Sequence, residues 1–184
     1  KNDSFDRKFC VNMREEMGDK KFDALMAALI RHQFLYTILS SEMPLTGHHI
    51  SHRESLVNWC PIGRNANDEQ RKKFVEYYIE AGVRKTLRQS IEKFSSDIGI
   101  SNITFSLGGS TSIDVYPSGW DKTFSLNHFK DYKCWFVGDK CTNDGNDRTI
   151  YESLHELGRS YQTTGPEKTV NIIESILDAI KKEG

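Results

Sequence analysis

The sequence predicts an α/β protein built in two parts, and three observations lead to this prediction. The 184 residues are 37% hydrophobic and 28% charged, which is typical of a globular chain with enough apolar mass for a core. Before about residue 118, amphipathic helices accompany short strands joined by tight turns, which predicts an antiparallel sheet with helices. After Pro117-Ser118-Gly119, single strands and helices alternate, which predicts a parallel sheet covered by helices.

In the first part, the spacing of apolar residues predicts each element. Alternating apolar residues within 1–14 indicate a strand that leads into a linker. Apolar steps of three and four predict an amphipathic helix over Lys20–Leu39. Two short strands are predicted within His48–Cys60, and a capped helix begins at Asn67. A second helix follows Gly82.

Strand and turn signals continue to the end of the chain. Ile103–Leu107 and Thr111–Tyr116 flank two glycines and predict a hairpin. In the second part the predicted elements are, in order, a helix over Asp121–Phe129, strands over Tyr132–Val137 and Ser160–Thr163, and a helix over Pro166–Lys182.

Charge, hydropathy and cysteine content restrict the classes of partner. A formal net charge of −1 gives no general attraction to nucleic acid or to an anionic membrane surface. No apolar run approaches the roughly 18 residues needed to cross a bilayer, so neither a nucleic acid nor a membrane is expected as a partner. The cysteines contain no Cys-x-x-Cys pair, which favours buried free thiols in a reducing compartment, and a cytoplasmic protein is expected. They are Cys10, Cys60, Cys134 and Cys141.

Acidic and amide side chains follow the predicted strand that ends at Gly138. Asp139 comes directly after the strand, and Asn146 and Asp147 lie further along the same loop. Open parallel sheets bind ligands at the carboxyl ends of their strands, and oxygen ligands of this kind suit Mg²⁺. An ordinary turn rich in Asp and Asn is the alternative. Lys122, at the entry to the second part, could face a phosphate as a compact positive charge, although surface lysines are common.

The first part contains candidate residues for binding a phosphorylated ligand. Arg53 lies in a predicted strand pair, Arg64 follows a tight turn and Arg71 lies on the next helix. Guanidinium groups bind phosphate bidentately, so three of them in one cleft would hold a phosphate; three solvated arginines are the alternative. Ser112 and Asp114 alternate along one strand, share a face and could recognise ligand hydroxyls, or form an ordinary cross-strand polar pair.

Three segments occur in an order that is far more specific than each segment alone. They are Ser55–Arg64, Phe105–Lys122 and Val137–Asp147. Together they resemble the eukaryotic-type phosphomannomutases of the haloacid-dehalogenase superfamily. The resemblance covers about residues 45–184, and the stretch Gly108–Lys122 is its most specific part.

The resemblance implies a mobile α+β cap domain, built on an antiparallel sheet, that closes over a Rossmann-like, haloacid-dehalogenase-like core. Residues 1–14 would end the first core half and form a linker, 15–118 would be the cap, and 119–184 would be the second half of the core. Caps of the family commonly form homodimers. The apolar helix Lys20–Leu39 is therefore a candidate interface.

The resemblance also implies an activity, the interconversion of mannose 6-phosphate and mannose 1-phosphate. The reaction passes through an aspartyl phosphate and a hexose 1,6-bisphosphate, which acts as activator, and it feeds GDP-mannose synthesis. Arg64 and Arg71 match cap arginines that grip the distal phosphate, and Arg53 matches a third. Ser112 and Asp114 match the cap residues that hold sugar hydroxyls. The resemblance does not separate a preference for mannose phosphates from one for glucose phosphates.

For the core, the resemblance implies a functional lysine and two metal sites. Lys122 matches the lysine that stabilises the phosphorylated aspartate. Asp139 resembles the Mg²⁺ ligand, with Asn146 and Asp147 in its supporting loop. The positions of a second, structural cation carry Tyr151, Ser153 and Glu156, where Ser153 stands in place of an aspartate.

The family's Asp-Val-Asp-Gly-Thr motif, which supplies the nucleophile and the acid/base, does not occur in these 184 residues. We therefore expect a core that is incomplete in its N-terminal half and a chain with no mutase or phosphatase activity on its own. Two other functions stay open: a cap-bearing sugar phosphatase of the same superfamily, and a non-catalytic sugar-phosphate-binding or dimerisation module. The paired Arg64 and Arg71 favour the mutase over the phosphatase, because they place a second phosphate site in the cap.

Overall fold

A computed structural model of the chain describes residues 10–40, 42–79, 82–142 and 145–183. The chain divides into two compact units, the first ending at Trp120 and the second beginning at Asp121. This division lies close to the boundary expected at Ser118-Gly119. The assignment of the units as cap and core stays a prediction. The strand expected within 1–14 falls largely outside the described residues.

The first unit contains a four-stranded antiparallel sheet. Its strands are β1 (Ile50–His52), β2 (Val57–Trp59), β3 (Ile103–Gly108) and β4 (Ser112–Pro117), in the order β1-β2-β4-β3. The predicted strand pair within 48–60 and the predicted hairpin are both confirmed. The register places Asn58 on β2 opposite Asp114 on β4, with Ser106 of β3 on the other side of Asp114.

Helices accompany this sheet in the first unit. They are α1 (Met13–Met17), α2 (Asp19–Leu39), α3 (Asp68–Phe74), which continues as a π-helical turn over Val75–Ile79, and α4 (Val83–Asp97). The helix predicted over Lys20–Leu39 is confirmed. Asn67 caps α3 as predicted: its side chain accepts from the N–H of Gln70, whose side chain accepts from the N–H of Asn67.

The sheet has one apolar face in the core and one polar face. Val57, Trp59, Ile113 and Val115 are completely buried in a cluster with side chains of α2 and α4. Trp59 Nε1 donates to Gln33 Oε1 on α2 at 2.7 Å, which anchors the helix to this face. Since successive strand residues point to opposite faces, the polar residues between these apolar ones point to the other side of the sheet.

The helix α1 was not predicted, because the alternating apolar residues within 1–14 were interpreted as a strand that leads into a linker. Asn12 caps it, with its side chain accepting from the N–H of Arg14 at 2.9 Å. Met13 is fully buried in the core of the first unit, and its N–H donates to the carbonyl of Glu54 at 2.7 Å. The burial of Met13 and its hydrogen bond to Glu54 therefore tie this segment to the first unit, and the Asn12 cap stabilises the helix itself.

The second unit is built on a pair of parallel strands. Its elements are a 3₁₀ helix over Lys122–His128, β5 (Phe136–Gly138), α5 (Arg148–His155), β6 (Ser160–Gln162) and α6 (Pro166–Glu183). The parallel pairing of β5 with β6 and the helix predicted over Pro166–Lys182 are confirmed.

Three details of the second unit differ from the sequence predictions. The strand predicted over Tyr132–Val137 begins only at Phe136, because β6 pairs with just three residues of it. The helix predicted over Asp121–Phe129 is of the 3₁₀ type. The short helix α5 was not predicted, although its two buried residues, Ile150 and Leu154, stand four positions apart on one face.

The cysteines are free thiols, as expected, but only some of them are buried. Cys60 and Cys141 are buried, whereas Cys134 is half-buried and Cys10 is exposed. The prediction of buried thiols is therefore wrong for Cys10. In the described ranges, the helices lack the combination of length and hydropathy that a membrane span requires.

Candidate functional site

The predicted binding residues of the first unit meet in one place. A hollow of about 300 Å³ is lined by Arg53, Arg64, Arg71, Ser112 and Asp114. We call it the arginine hollow. It collects side chains from β4, from the loop that follows β1, from the turn that follows β2 and from α3. Residues more than 60 positions apart are thus brought together, as the sequence analysis expected for a ligand site.

Arg71 is held at three of its nitrogens. Nε donates to the carbonyl of Ala66 at 2.8 Å and Nη2 donates to the carbonyl of Arg64 at 2.7 Å. Nη1 donates to Thr111 Oγ1 at 3.3 Å. The capped helix α3 therefore fixes this guanidinium against the loop that carries Arg64, and its position does not depend on a ligand.

Arg64 is exposed, and its location follows from the tight turn before it. Gly63 has a φ of +87°, and a Cβ added there would lie 2.8 Å from the backbone N of Gly47. Only glycine fits this close approach without moving the backbone. The N–H of Arg64 donates to the carbonyl of Gly47 at 3.0 Å, and its Nη1 donates to Asn58 Oδ1 at 2.8 Å.

Asp114 and Ser112 occupy the hairpin side of the arginine hollow. Asp114 Oδ1 accepts from Asn58 Nδ2 at 2.6 Å. A Cβ added to Gly108 would lie 2.7 Å from Asp114 Cγ, so glycine leaves room for the carboxylate beside the hairpin backbone. Ser112 Oγ donates to the carbonyl of Gly108 at 3.1 Å, which leaves the hydroxyl oxygen able to accept from a ligand.

The charge of the arginine hollow suits an anion that also carries hydroxyl groups. Arg53 is exposed, and no hydrogen bond of its side chain is found among the described residues. Within these ranges, none of the three arginines forms an ion pair with a carboxylate. Three guanidinium groups therefore face one carboxylate, that of Asp114, which accepts hydrogen bonds from hydroxyls.

Two residues of the arginine hollow were missed by the sequence analysis. Asn58 joins Arg64 to Asp114, and Thr111 accepts from Arg71. The signal for Asn58 was a lone amide between Val57 and Trp59 in a strand that is otherwise apolar. Thr111 gave no comparable signal, because hydroxyl residues are common in hairpin turns.

In the second unit, a buried carboxylate organises the loop after β5. Asp147 is 3% exposed, and its Oδ1 accepts from Lys122 Nζ. Its Oδ2 accepts from the N–H groups of Asp139 at 3.2 Å and Lys140 at 3.1 Å. Burial disfavours the carboxylate, but these hydrogen bonds and the charge of Lys122 outweigh it and hold the pKa of Asp147 below its ordinary value.

The predicted metal residue Asp139 lies at the carboxyl end of β5 with its side chain exposed. Asn146 is half-buried in the same loop. Among the residues that the structure describes, no three His, Cys, Asp or Glu side chains come together as a metal cluster. Mg²⁺ is commonly held by one or two carboxylates, with water and substrate phosphate completing its shell, so the exposed carboxylate of Asp139 fits this ion.

The residues of the predicted second cation site lie on and just after α5. Ser153 Oγ donates to the carbonyl of Ile150 at 2.9 Å. The ring of Tyr151 stacks on that of His155 with centroids 5.0 Å apart. Glu156 is exposed at the end of the helix. These contacts are local to the helix, and the second cation site stays a prediction.

Comparison with known proteins identifies relatives along almost the whole chain. The family described as eukaryotic phosphomannomutase matches residues 5–179. The phosphomannomutase of Solanum lycopersicum is 35% identical over 162 residues, which is 86% of this chain and 60% of that protein. That of Saccharomyces cerevisiae is 33% identical over 168 residues, which is 88% of this chain and 61% of that protein. The chain thus spans about three fifths of the length of these relatives.

A solved structure agrees with the fold. The N-terminally truncated, IMP-bound IMP-nucleotidase of Plasmodium falciparum superposes with a TM-score of 0.50 at 15% identity, over 85% of this chain and 38% of that chain. At this identity the likeness concerns the fold alone, which is a mixed α/β fold. The sequence matches show the family: the chain belongs to the eukaryotic phosphomannomutase family.

Proposed function

We propose that this chain carries the sugar-phosphate-binding cap and the second core half of a phosphomannomutase. The enzyme would interconvert mannose 6-phosphate and mannose 1-phosphate through an aspartyl phosphate and a hexose 1,6-bisphosphate, in the cytoplasm, and so supply GDP-mannose synthesis. The observation that carries this proposal is the arginine hollow, where Arg64 and Arg71 lie beside Asp114.

The chemistry of the arginine hollow divides between the two ends of a hexose phosphate. Arg53, Arg64 and Arg71 supply N–H donors and positive charge for the phosphate that is not being transferred. Ser112 and Asp114 supply acceptors for sugar hydroxyls. Phosphoryl transfer depends mainly on positioning and on neutralising oxygen charge, so a rigid cradle at the far end of the substrate contributes directly to the reaction.

In the second unit, Lys122 and Asp139 take the roles next to the transferred phosphoryl group. The Nζ of Lys122 is held by the buried carboxylate of Asp147 while its side chain stays 46% exposed, so the ammonium can face a phosphorylated aspartate. Asp139, supported by the loop of Asn146 and Asp147, would hold Mg²⁺. When bound, this ion neutralises charge on phosphoryl oxygens. Tyr151, Ser153 and Glu156 would surround the second cation.

The 184 residues include no Asp-Val-Asp-Gly-Thr sequence that could supply the nucleophile and the acid/base. We therefore propose that this chain binds the sugar phosphate without turning it over. An isomerisation assay primed with hexose 1,6-bisphosphate checks this, and a parallel phosphate-release assay covers the phosphatase reaction. Turnover of mannose 1-phosphate by the purified chain in either assay would contradict the proposal.

Binding is tested by titration calorimetry with mannose 1-phosphate, inorganic phosphate and mannose as separate ligands. We expect mannose 1-phosphate to bind more tightly than inorganic phosphate, because Ser112 and Asp114 add hydrogen bonds to the sugar. Mannose alone is expected to give no measurable heat, since the arginines then have no anion to bind. Equal affinities for mannose 1-phosphate and inorganic phosphate would mean that Ser112 and Asp114 do not contact the sugar. If neither ligand binds, the proposed function is wrong.

A second copy of the chain is the partner that we propose for α2. Ile30, Phe34 and Ile38 recur at four-residue steps and are 59%, 63% and 58% exposed, which forms one apolar stripe along the helix. A stripe of this kind with identical residues on two copies is self-complementary in a two-fold dimer.

The change Phe34→Glu is expected to convert this dimer into a monomer, because it places a charge at the centre of the apolar stripe that the dimer buries. Sedimentation equilibrium measures the mass of both chains. The control Gln89→Glu adds the same charge at an exposed position of α4 and is expected to stay dimeric. A monomeric unchanged chain, or a dimer that survives Phe34→Glu, would exclude α2 as the interface.

A further inference from the structure

Asn58 is a polar side chain in the most buried strand of the first unit. It is 3% exposed, and its neighbours Val57 and Trp59 are fully buried. Placing an amide in such a strand costs free energy unless both its donor and its acceptor are satisfied. Asn58 satisfies both on residues of the arginine hollow.

The two ends of the amide meet groups of opposite charge. Asn58 Oδ1 accepts from Arg64 Nη1 at 2.8 Å, and Asn58 Nδ2 donates to Asp114 Oδ1 at 2.6 Å. One planar group therefore stands between the cation and the anion, with its negative end toward the first and its positive end toward the second. Hydrogen bonds to charged partners of this kind are stronger than those between neutral groups.

We propose that Asn58 is a positioning residue that keeps Arg64 and Asp114 apart and aims each at its own part of the substrate. This inference rests on the proposed function of the arginine hollow. Without the amide, the guanidinium and the carboxylate would attract each other across the vacated space and pair directly. Such a pair occupies the N–H donors that a phosphate needs and the oxygens that sugar hydroxyls need.

Inorganic phosphate separates this role of Asn58 from a purely structural one, because this ligand contacts the arginines but has no sugar hydroxyls for Asp114 to hold. Removing Asn58 weakens phosphate binding only because Asp114 then captures Arg64. Removing Asp114 as well frees Arg64 again. With a purely structural role for Asn58, the effects of the two changes would instead add, and the double variant would keep the loss of Asn58→Ser, because residues without a shared partner have independent effects.

The experiment measures the affinity for inorganic phosphate and for mannose 1-phosphate in four chains: unchanged, Asn58→Ser, Asp114→Ala and the double variant. Asn58→Ser is expected to lower the affinity for both ligands about tenfold, which is the effect expected when one hydrogen bond to a charged group is lost. In the double variant, phosphate binding is expected to return to within about twofold of the unchanged chain. If Asn58→Ser fails to fold, Asn58→Thr serves instead, since a β-branched residue suits a strand.

Ser106→Ala is the matched control, because Ser106 is the cross-strand partner of Asp114 on β3 but does not line the arginine hollow. It is expected to leave both affinities unchanged. Additive losses in the double variant, or an unchanged affinity in Asn58→Ser, would overturn the role of Asn58. If the unchanged chain binds neither ligand, the proposed function fails. A crystal structure of Asn58→Ser then decides the inference alone: Arg64 within about 4 Å of the Asp114 carboxylate supports it, and any other arrangement overturns it.

Discussion

A chain with Arg64 replaced by glutamate is expected to bind mannose 1-phosphate about 100-fold more weakly than the unchanged chain. Arg64 offers the arginine hollow an exposed guanidinium, and within the part of the chain that the structure describes its Nη1 is engaged by Asn58. The other guanidinium N–H groups have no acceptor among these residues and can donate to phosphate oxygens. Glutamate removes these donors and repels the phosphate, and a loss of about 3 kcal/mol is typical for one partner of a hydrogen-bonded charge pair. Calorimetric titration measures the change.

The Arg64→Glu chain is expected to stay folded and to lose about 1–2 kcal/mol of stability, because Asn58 Oδ1 loses its donor while the backbone contacts of Arg64 persist. A thermal melt checks this. The control Lys93→Glu makes the same change of charge at an exposed position of α4 that does not line the arginine hollow. It is expected to retain the affinity of the unchanged chain. A similar loss in both variants would mean that net charge, rather than the place of Arg64, determines binding.

The change Asp147→Asn is expected to lower the free energy of unfolding of the second unit by about 2 kcal/mol at neutral pH. The carboxylate accepts from Lys122 and from the N–H groups of Asp139 and Lys140. Asparagine presents one acceptor oxygen and no charge, so hydrogen bonds to a charged group are replaced by weaker ones. Lys122 is half-exposed, and the lost ion pair with it therefore contributes only part of the effect.

The same carboxylate gives the second unit a dependence on pH. The pKa of Asp147 is lower in the folded chain than its ordinary value of 3.8, so its ionised form stabilises the fold. This contribution is fully present above the ordinary value and is lost as the pH falls through the lower, folded value. Below about pH 4, the unchanged chain and Asp147→Asn are expected to converge in stability.

Urea unfolding followed through NMR signals of second-unit residues such as Val137 measures both effects. Asp178→Asn is the control, since Asp178 on α6 has a side chain that is 69% exposed and pairs with the exposed Lys181. It is expected to change the stability by less than about 0.5 kcal/mol. Parallel pH profiles for the unchanged chain and Asp147→Asn would show that Asp147 does not stabilise the loop.

The sequence predicted those parts of the candidate site that depend on residue type and on the immediate sequence neighbours. The turn glycine before Arg64 and the capping asparagine before Arg71 are strong local signals, and the structure places both arginines in one hollow. The bridging of Arg64 to Asp114 could not be predicted, because it depends on the pairing of Asn58 with a strand more than 50 residues away.

The fold shows the same division between local and distant information. The long helix α2 has five turns of apolar spacing and was predicted almost to the residue. The strand β5 was predicted four residues too early, because its apolar sequence continues upstream while its partner β6 offers only three pairing residues. Strand limits are set by the neighbour and helix limits mainly by the segment itself, which explains why α2 was predicted more closely than β5.

The pairing of β2 with β4 joins ligand recognition to folding. In the observed register Trp59 enters the core, while Asn58 and Asp114 face each other on the polar side of the sheet. A shift of the pairing by one residue would expose the indole of Trp59 to solvent and place the amide of Asn58 in the hydrophobic core. The register that buries Trp59 is therefore the same register that sets Asn58 opposite Asp114, so one strand pairing determines both the core and the floor of the arginine hollow.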